Sequence, residues 1–252
     1  MSCVVAYKWA SNPQDASVGA DGVVDWSRAK PSLSVYDAVA IEFGRRFADQ
    51  TGSELIGVSV GTSAVATSLA RKAAASRGLD RVYLVSDDDV ANWNATQVGR
   101  ALARLVERAG EVDLVVTGDA SADEGAKLMP TLIAGALGWP CFEEVEQVER
   151  TEGGLRLRQS DGGTRTIELP GPAVVSVTTD AATPRVPGMR DILAAAKKPV
   201  DVVDLTLEPM TAGHVTAVTR RRPEAASREA QVFDGGDAVD RLVAALQAQK
   251  VL

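Results

Sequence analysis

Val112-Asp113-Leu114-Val115-Val116-Thr117-Gly118-Asp119-Ala120-Ser121-Ala122-Asp123-Glu124-Gly125 is the stretch that decides the fold. Its first half, Val112 to Thr117, is the most apolar strand of the chain. Its second half is a run of small and acidic residues, and from Ala126 to Leu137 the pattern turns helical. Strand, loop and helix thus succeed one another as in a single α/β unit.

The same order repeats toward the N-terminus. Cys3 to Tyr7 is a short apolar run, followed by a polar loop to about Asp15 and a small hairpin from Val18 to Asp25, bent at Gly22. From Asp37 onward, Val39, Ala40, Phe43, Phe47 and Ala48 recur at the spacing of a helix face. Glu54 to Val60 is the next strand, closed by Gly61. Ser63 is placed to cap a helix running through Leu69 to about Ser76, and Gly78 ends it. Arg81 to Val85 is a third strand, and Thr96 to Ala109 a helix with Val98, Leu102, Leu105 and Val106 on one side. This alternation predicts an α/β fold: a doubly wound, mostly parallel sheet with helices on both faces, which binds ligands at the carboxyl ends of its strands.

Beyond Leu137 the pattern changes. Val145 to Glu149, Gly154 to Gln159, Thr164 to Leu169 and Ala173 to Thr178 read as short strands, with Asp161-Gly162-Gly163 as a hairpin signal. Leu155-Arg156-Leu157-Arg158 alternates as a strand with one wet face does. A proline-punctuated loop from Thr183 to Val200 leads into a short helix, and the polar stretch beyond Leu205, with Arg220-Arg221-Arg222-Pro223, reads as a linker. Asp237 to Lys250 is a final amphipathic helix with Val239, Leu242, Val243 and Leu246 on one face, the pattern of a partner-binding arm. The expected division is an α/β nucleotide-binding domain over 1–205, including a small β-rich segment at about 143–180, and a linker with a C-terminal helical arm over 206–252.

Composition removes several classes of function. Hydrophobic residues at 45% and charged residues at 24% are the balance of a folded globular chain. A formal charge of −7 argues against nucleic acid as the main partner, because phosphate binding needs a basic face. Two cysteines, Cys3 and Cys141, make no disulfide framework and read as cytosolic thiols. The single histidine, His214, leaves little room for a metal centre or a Ser-His-Asp triad. No apolar run approaches the roughly 20 residues of a membrane helix, and the chain enters its first strand without a signal peptide, so a cytoplasmic protein is expected.

Gly118 to Gly125 sits where a strand hands over to a helix. Small residues let backbone N–H groups approach a ligand, a helix N-terminus favours anions, and Asp119, Asp123 and Glu124 suit ribose hydroxyls or adenine nitrogens better than a bare phosphate. An ordinary loop with Asp and Ser as helix caps has the same pattern, and spacing alone does not separate the two. Gly57-Val58-Ser59-Val60-Gly61-Thr62-Ser63 is a second strand-end loop of small residues, for which tight packing is the simpler cause. No G-x-G-x-x-G fingerprint is present, and no nucleophile and base lie on related elements.

Leu169-Pro170-Gly171-Pro172-Ala173-Val174-Val175-Ser176, preceded by Arg158 and Asp161-Gly162-Gly163, resembles the signature of electron-transfer flavoprotein β subunits. Pro184-Arg185-Val186-Pro187-Gly188-Met189-Arg190-Asp191-Ile192-Leu193 and Ala196-Lys197-Lys198-Pro199 look like that family's loop and lysine-rich helix end. Matches at Tyr7-Lys8, Ser34-Val35-Tyr36-Asp37, Val58-Ser59-Val60-Gly61 and Leu137-Gly138-Trp139-Pro140 extend the resemblance over nearly the whole chain. Asn12-Pro13-Gln14-Asp15, Arg77-Gly78 and Ala194-Ala195-Ala196-Lys197-Lys198-Pro199 are most similar to the Fix branch, linked to carnitine reduction or nitrogen fixation.

The resemblance implies a heterodimer with an α subunit that carries the redox-active FAD and passes electrons between dehydrogenases or reductases and an acceptor, without independent catalysis by this chain. The β site of the common type holds AMP, and that of the electron-bifurcating type a second FAD. Carried over by position, the nucleotide contacts are Ala6, then Ser34, Val35, Tyr36 and Asp37, then Val60, and the loop Gly118-Asp119-Ala120-Ser121-Ala122-Asp123-Glu124-Gly125-Ala126-Lys127-Leu128-Met129. The loop after Pro187, with Met189 at the apolar anchor position and Ile192 beyond it, would dock the partner dehydrogenase, and the C-terminal helix would embrace the α subunit.

Inside the nucleotide loop the chain departs from the family pattern. Asp119 and Ala120 stand where the family usually has a Lys-Gln pair, and Leu128, Met129 and Pro130 where it has a Gln-Thr or Gln-Val pair followed by Gly. Each lost side-chain hydrogen bond is worth roughly 0.5–1.5 kcal/mol net, and Asp119 opposes a phosphate that a lysine would attract. An adenine-nucleotide-binding regulatory protein of the universal-stress type shares the general sheet. Its Gly-rich phosphate motif is absent here, and the β-rich segment and arm are surplus to it. A hydrolase of adenosine-like ligands would lack a base.

Overall fold

The strand–helix alternation folds as a computed structural model that describes residues 2–160, 162–207, 223–224 and 230–251. β1 (Ser2–Ala6) is buried along its whole length. A polar excursion comes next, made of β2 (Trp9–Ser11), the hairpin β3 (Ser17–Val18) and β4 (Val24–Asp25), and β5 (Pro31–Leu33), which pairs back onto β2. α1 (Val35–Thr51) starts two residues before the expected Asp37 and ends where Gly52 takes φ 66°, a left-handed conformation that costs glycine nothing. β6 (Glu54–Gly61), α2 (Ser68–Ala75), β7 (Arg81–Ser86), α3 (Ala95–Arg108), β8 (Val112–Gly118) and α4 (Met129–Leu137) continue the alternation. β9 (Cys141–Thr151), β10 (Gly154–Ser160), β11 (Thr164–Leu169) and β12 (Ala173–Val177) make the β-rich part, before α5 (Met189–Ala195), β13 (Val200–Val202) and α6 (Ala238–Ala248).

Among the described residues, nine strands form one sheet in the order β11-β10-β9-β12-β8-β1-β6-β7-β13. Its ladders are parallel except those of β10 with β9 and with β11. One face buries Val39, Ile41, Phe43 and Phe47 of α1 against Val5, Leu55 and Val116. The other buries Leu102, Leu105 and Val106 of α3 and Ile133 of α4 against Val4, Ile56 and Val115. Successive residues of β1 and β8 thus feed opposite cores, as the two-residue strand period requires. The doubly wound sheet with helices on both faces is the predicted one.

Three boundaries differ from the sequence reading by three residues or more. The helix expected from Ala126 begins at Met129, because Lys127 takes φ 54° and Pro130, with its fixed φ and no N–H, belongs in a first helical turn. The helix expected from Ser63 begins at Ser68. Residues Ser63–Ala66 form a separate 3-10 turn, and Thr67 is the cap, its hydroxyl accepting from Ala70 N–H at 3.3 Å. β9 starts at Cys141 rather than Val145, because Cys141 and Phe142 pair with Val174 and Val175 of β12. The α3 start is locally encoded: Asn94 and Gln97 satisfy each other's backbone N–H groups at 3.0 Å in a capping box. His214 and Arg220 to Arg222 lie outside the described residues. Among the described residues, no helix is long and apolar enough to cross a membrane.

Candidate functional site

β1 hydrogen-bonds to β6 on one side and to β8 on the other, with Ala6 level with Val58 and with Thr117. From β1 the chain winds outward through β6 and β7, whereas β8 begins the other half of the sheet. The strand order reverses between β1 and β8, and in open α/β sheets a crevice opens at the carboxyl ends of such a pair. Ala6, Tyr7 and Lys8 leave β1 into it, and Thr117, Gly118 and Asp119 leave β8 beside them.

The N-terminus of α1 closes the crevice from above. A Cβ on Gly118 would lie 2.8 Å from Asp37 Oδ1, from the Tyr36 carbonyl carbon and from Tyr36 Cβ. Gly118 is therefore glycine so that α1 can press onto the end of β8. In the second small-residue loop, a Cβ on Gly57 would meet Leu79 Cδ1 at 2.6 Å, and one on Gly61 would meet Val65 Cγ1 at 2.4 Å. That loop is small for packing, as the simpler reading has it.

Asp37 pins three elements. It is 6% exposed, and Oδ2 accepts from Lys8 N–H at 2.7 Å, while the Gly118 N–H bonds the same carboxyl group. Burial pushes its pKa up to about 7, against the pull of those two N–H groups and the Lys8 charge, with nearby Asp123 adding to the rise. Lys8 itself reaches over the crevice: Nζ lies 2.8 Å from Asp123 Oδ2 and 3.5 Å from Glu124 Oε2. Burial alone would raise the Asp123 pKa, but the bond and charge of Lys8 outweigh it and hold the carboxyl below its ordinary value. Farther along the loop Lys127 Nζ sits 2.8 Å from Asp119 Oδ2, and that hydrogen bond raises the lysine's pKa. The missing lysine at position 119 is thus answered by one eight residues on, spent on Asp119 itself.

Most of the expected contacts converge here. Ala6, Ser34, Asp37 and Gly118 are buried at the crevice, and Val60 ends the neighbouring β6 half-buried. Tyr36, Asp119, Ala120, Ser121, Ala122 and Asp123 are half-buried around it. Val35 and Leu128 are solvent-facing, as are Glu124, Gly125, Ala126 and Lys127. Met129 turns away, packing on the core beneath α3 and α4. Met189 and Ile192 belong to α5 rather than to a loop: Gly188 caps the helix, and its N–H donates to Asp191 Oδ2 at 2.8 Å. Lys8 is the site residue that the sequence reading misses, though its place as the first polar residue beyond β1 at the reversal point is a signal that finds it.

At the start of α1, Ser34 Oγ is buried and has no hydrogen-bond partner among the described residues. That hydroxyl, with the carboxylates of Asp119 and Asp123, suits the hydroxyls and nitrogens of an adenosine. A phosphate is served less well, because four carboxylates (Asp37, Asp119, Asp123, Glu124) stand against two ammonium groups already paired with them. Among the described residues, no cluster of His, Cys, Asp or Glu is arranged to hold a metal.

The family model of the electron transfer flavoprotein domain matches residues 21–208. That span runs from the polar excursion through the crevice loop, α5 and β13. With about three-quarters of its length inside that match, the chain belongs to the electron transfer flavoprotein family.

Proposed function

We propose that this chain is the β subunit of a heterodimeric electron-transfer flavoprotein. Members of the family carry electrons rather than catalyse, and they are flavoproteins. The observation that carries the reading is the crevice between β1 and β8, closed by α1, with α1 and the loop after β8 inside the matched span and β1 ahead of it. FAD, held mainly by an α subunit, supplies the redox chemistry. This chain's part is to bind, orient and shield. Ser34, Asp119 and Asp123 would hold the adenosine portion of an AMP or of a second FAD, and Lys8 keeps the loop over it. α5 presents Met189 and Ile192 to a dehydrogenase or reductase. The arm over 206–252 reaches the α subunit through α6, where Val239, Leu242 and Val243 are 71%, 45% and 40% exposed. The Fix-type assignment rests on the quoted resemblance alone.

The test is co-expression with a candidate FAD-binding α subunit, followed by nucleotide extraction and a flavin count per heterodimer. A yellow complex that accepts electrons is expected, with either AMP or a second flavin released on denaturation. A stable complex that stays colourless and cannot be reconstituted with FAD refutes the assignment.

A further inference from the structure

Arg185 lies in the segment between β12 and α5, and it is tied down more heavily than anything around it. Its guanidinium grips Glu42 of α1 from two nitrogens, Nε to Oε2 at 2.6 Å and Nη2 to Oε1 at 3.2 Å. Its backbone N–H adds a third bond to Oε2 at 3.3 Å, and its carbonyl accepts from Arg77 Nη1 at 2.9 Å. Arg77 lies just beyond α2, and Gly78 passes so close that a Cβ there would lie 3.3 Å from Arg185 Nη1. Glu42 is 8% exposed, so its bidentate pairing with Arg185 is partly withdrawn from water. Burial alone would raise its pKa, but the bonds and charge of Arg185 outweigh burial and hold Glu42 ionised.

Most side chains just beyond Arg185 face water, and α5 is held from its other end by packing on α2 and by Lys198, whose Nζ bonds Asp80 Oδ1 at 3.3 Å. Val186 is 91% exposed, Met189 73% and Leu193 64%, and Ala195 is the one buried residue of α5. A helix of seven residues does not persist by itself, so its direction must come from its attachments. We propose that Glu42 and Arg185 are a positioning pair that fixes the docking helix α5 to α1, the same helix whose first turn closes the crevice. This inference rests on the docking role proposed for α5. Arg77 backs the pair through the main chain. The nucleotide crevice and the apolar docking face then share one rigid element, which sets their separation without any contact between them.

Two variants of the full chain test the pair. Glu42→Gln keeps the shape and removes the charge, while Arg185→Lys keeps the charge and removes the planar fork. Hydrogen exchange followed by mass spectrometry should show residues 183–198 exchanging about tenfold faster in both, with β1 and β8 unchanged. Unchanged exchange over 183–198 overturns the proposal, and so does acceleration spread over β1 and β8. In the assembled heterodimer, both variants should raise KM for the dehydrogenase that reduces the wild-type complex, with kcat held within about twofold. If Met189→Ala raises that KM and the pair variants do not, the positioning inference is wrong. If Met189→Ala also leaves it unchanged, the docking assignment of α5 has failed instead, and the exchange result still decides whether the pair holds the helix.

Discussion

Replacing Asp37 by asparagine removes a buried charge while keeping the side chain's shape. In the wild type the folded carboxyl titrates at about 7, raised from 3.8 by burial. An acid whose folded pKa is raised binds its proton more tightly when folded, so its stabilising contribution is complete below the unfolded value and is lost as pH rises through 7. Between about pH 5 and pH 8 the wild type loses about 2.7 kcal/mol of stability from this residue alone. The amide of the variant resembles the protonated acid, with a carbonyl oxygen to accept from the Lys8 and Gly118 N–H groups, and it carries no such slope. Glu42, Asp80 and Asp123, held below their ordinary values by basic partners and N–H groups against their burial, slope the opposite way near acid pH. They are common to both proteins and cancel in the difference. Urea unfolding of wild type and Asp37→Asn across that range should therefore show the variant gaining on the wild type as pH rises. Parallel curves would show that the two N–H groups keep Asp37 ionised throughout, and the account of the pin would be wrong.

Two further perturbations probe the same geometry. Gly118→Ala puts a methyl group 2.8 Å from Asp37 Oδ1 and from the Tyr36 backbone, which has no free end to swing aside; the overpacking cost of about 1–3 kcal/mol should lower Tm by roughly 3–9 °C, and an unchanged melting curve would contradict the close approach of α1 to β8. Lys8→Met leaves the backbone N–H in place but removes the ammonium from Asp123 and Asp37; being half-exposed it should cost at most about 1 kcal/mol, while the Asp37 midpoint moves upward in the urea series, and a midpoint that stays or falls would exclude Lys8 as a stabilising charge.

Local chemistry makes much of the fold legible. The period of α1, the capping box of Asn94 and Gln97 and the uninterrupted apolar run of β8 each state their element within a few residues. The boundaries shift where two local signals compete. Ser63 and Thr67 are both capable caps, and only the extended conformation of Thr67, with ψ 151°, decides between them. At α4 the apolar pattern runs ahead of Pro130, whose position is the better marker of the first turn. The site is legible in a different way. Resemblance locates the loop, but not that Gly118 makes room for Tyr36, nor that Lys8 bridges 115 residues to Asp123. Glu42 and Arg185 lie 143 residues apart, and no periodicity or spacing rule joins a helix-interior glutamate to a loop arginine at that distance.

Asp37 and Glu42 show what that long-range pairing does. They lie on one helix, 6% and 8% exposed, so burial penalises both ionised forms. Asp37 meets backbone N–H dipoles, Lys8 at a distance, and the opposing charge of Asp123, and its pKa rises to about 7. Glu42 meets a guanidinium in bidentate contact, with Arg46 Nε 3.6 Å away, and its pKa falls. Near neutral pH, then, of the two buried carboxylates of α1 one exchanges its proton and the other does not. A pH change of one unit alters the charge at the crevice end of the helix and leaves the Glu42–Arg185 pair as it was. If the crevice holds a nucleotide and α5 docks a partner as proposed, nucleotide retention is expected to vary with pH through Asp37, whereas docking should track the Glu42–Arg185 fork and stay flat over the same range.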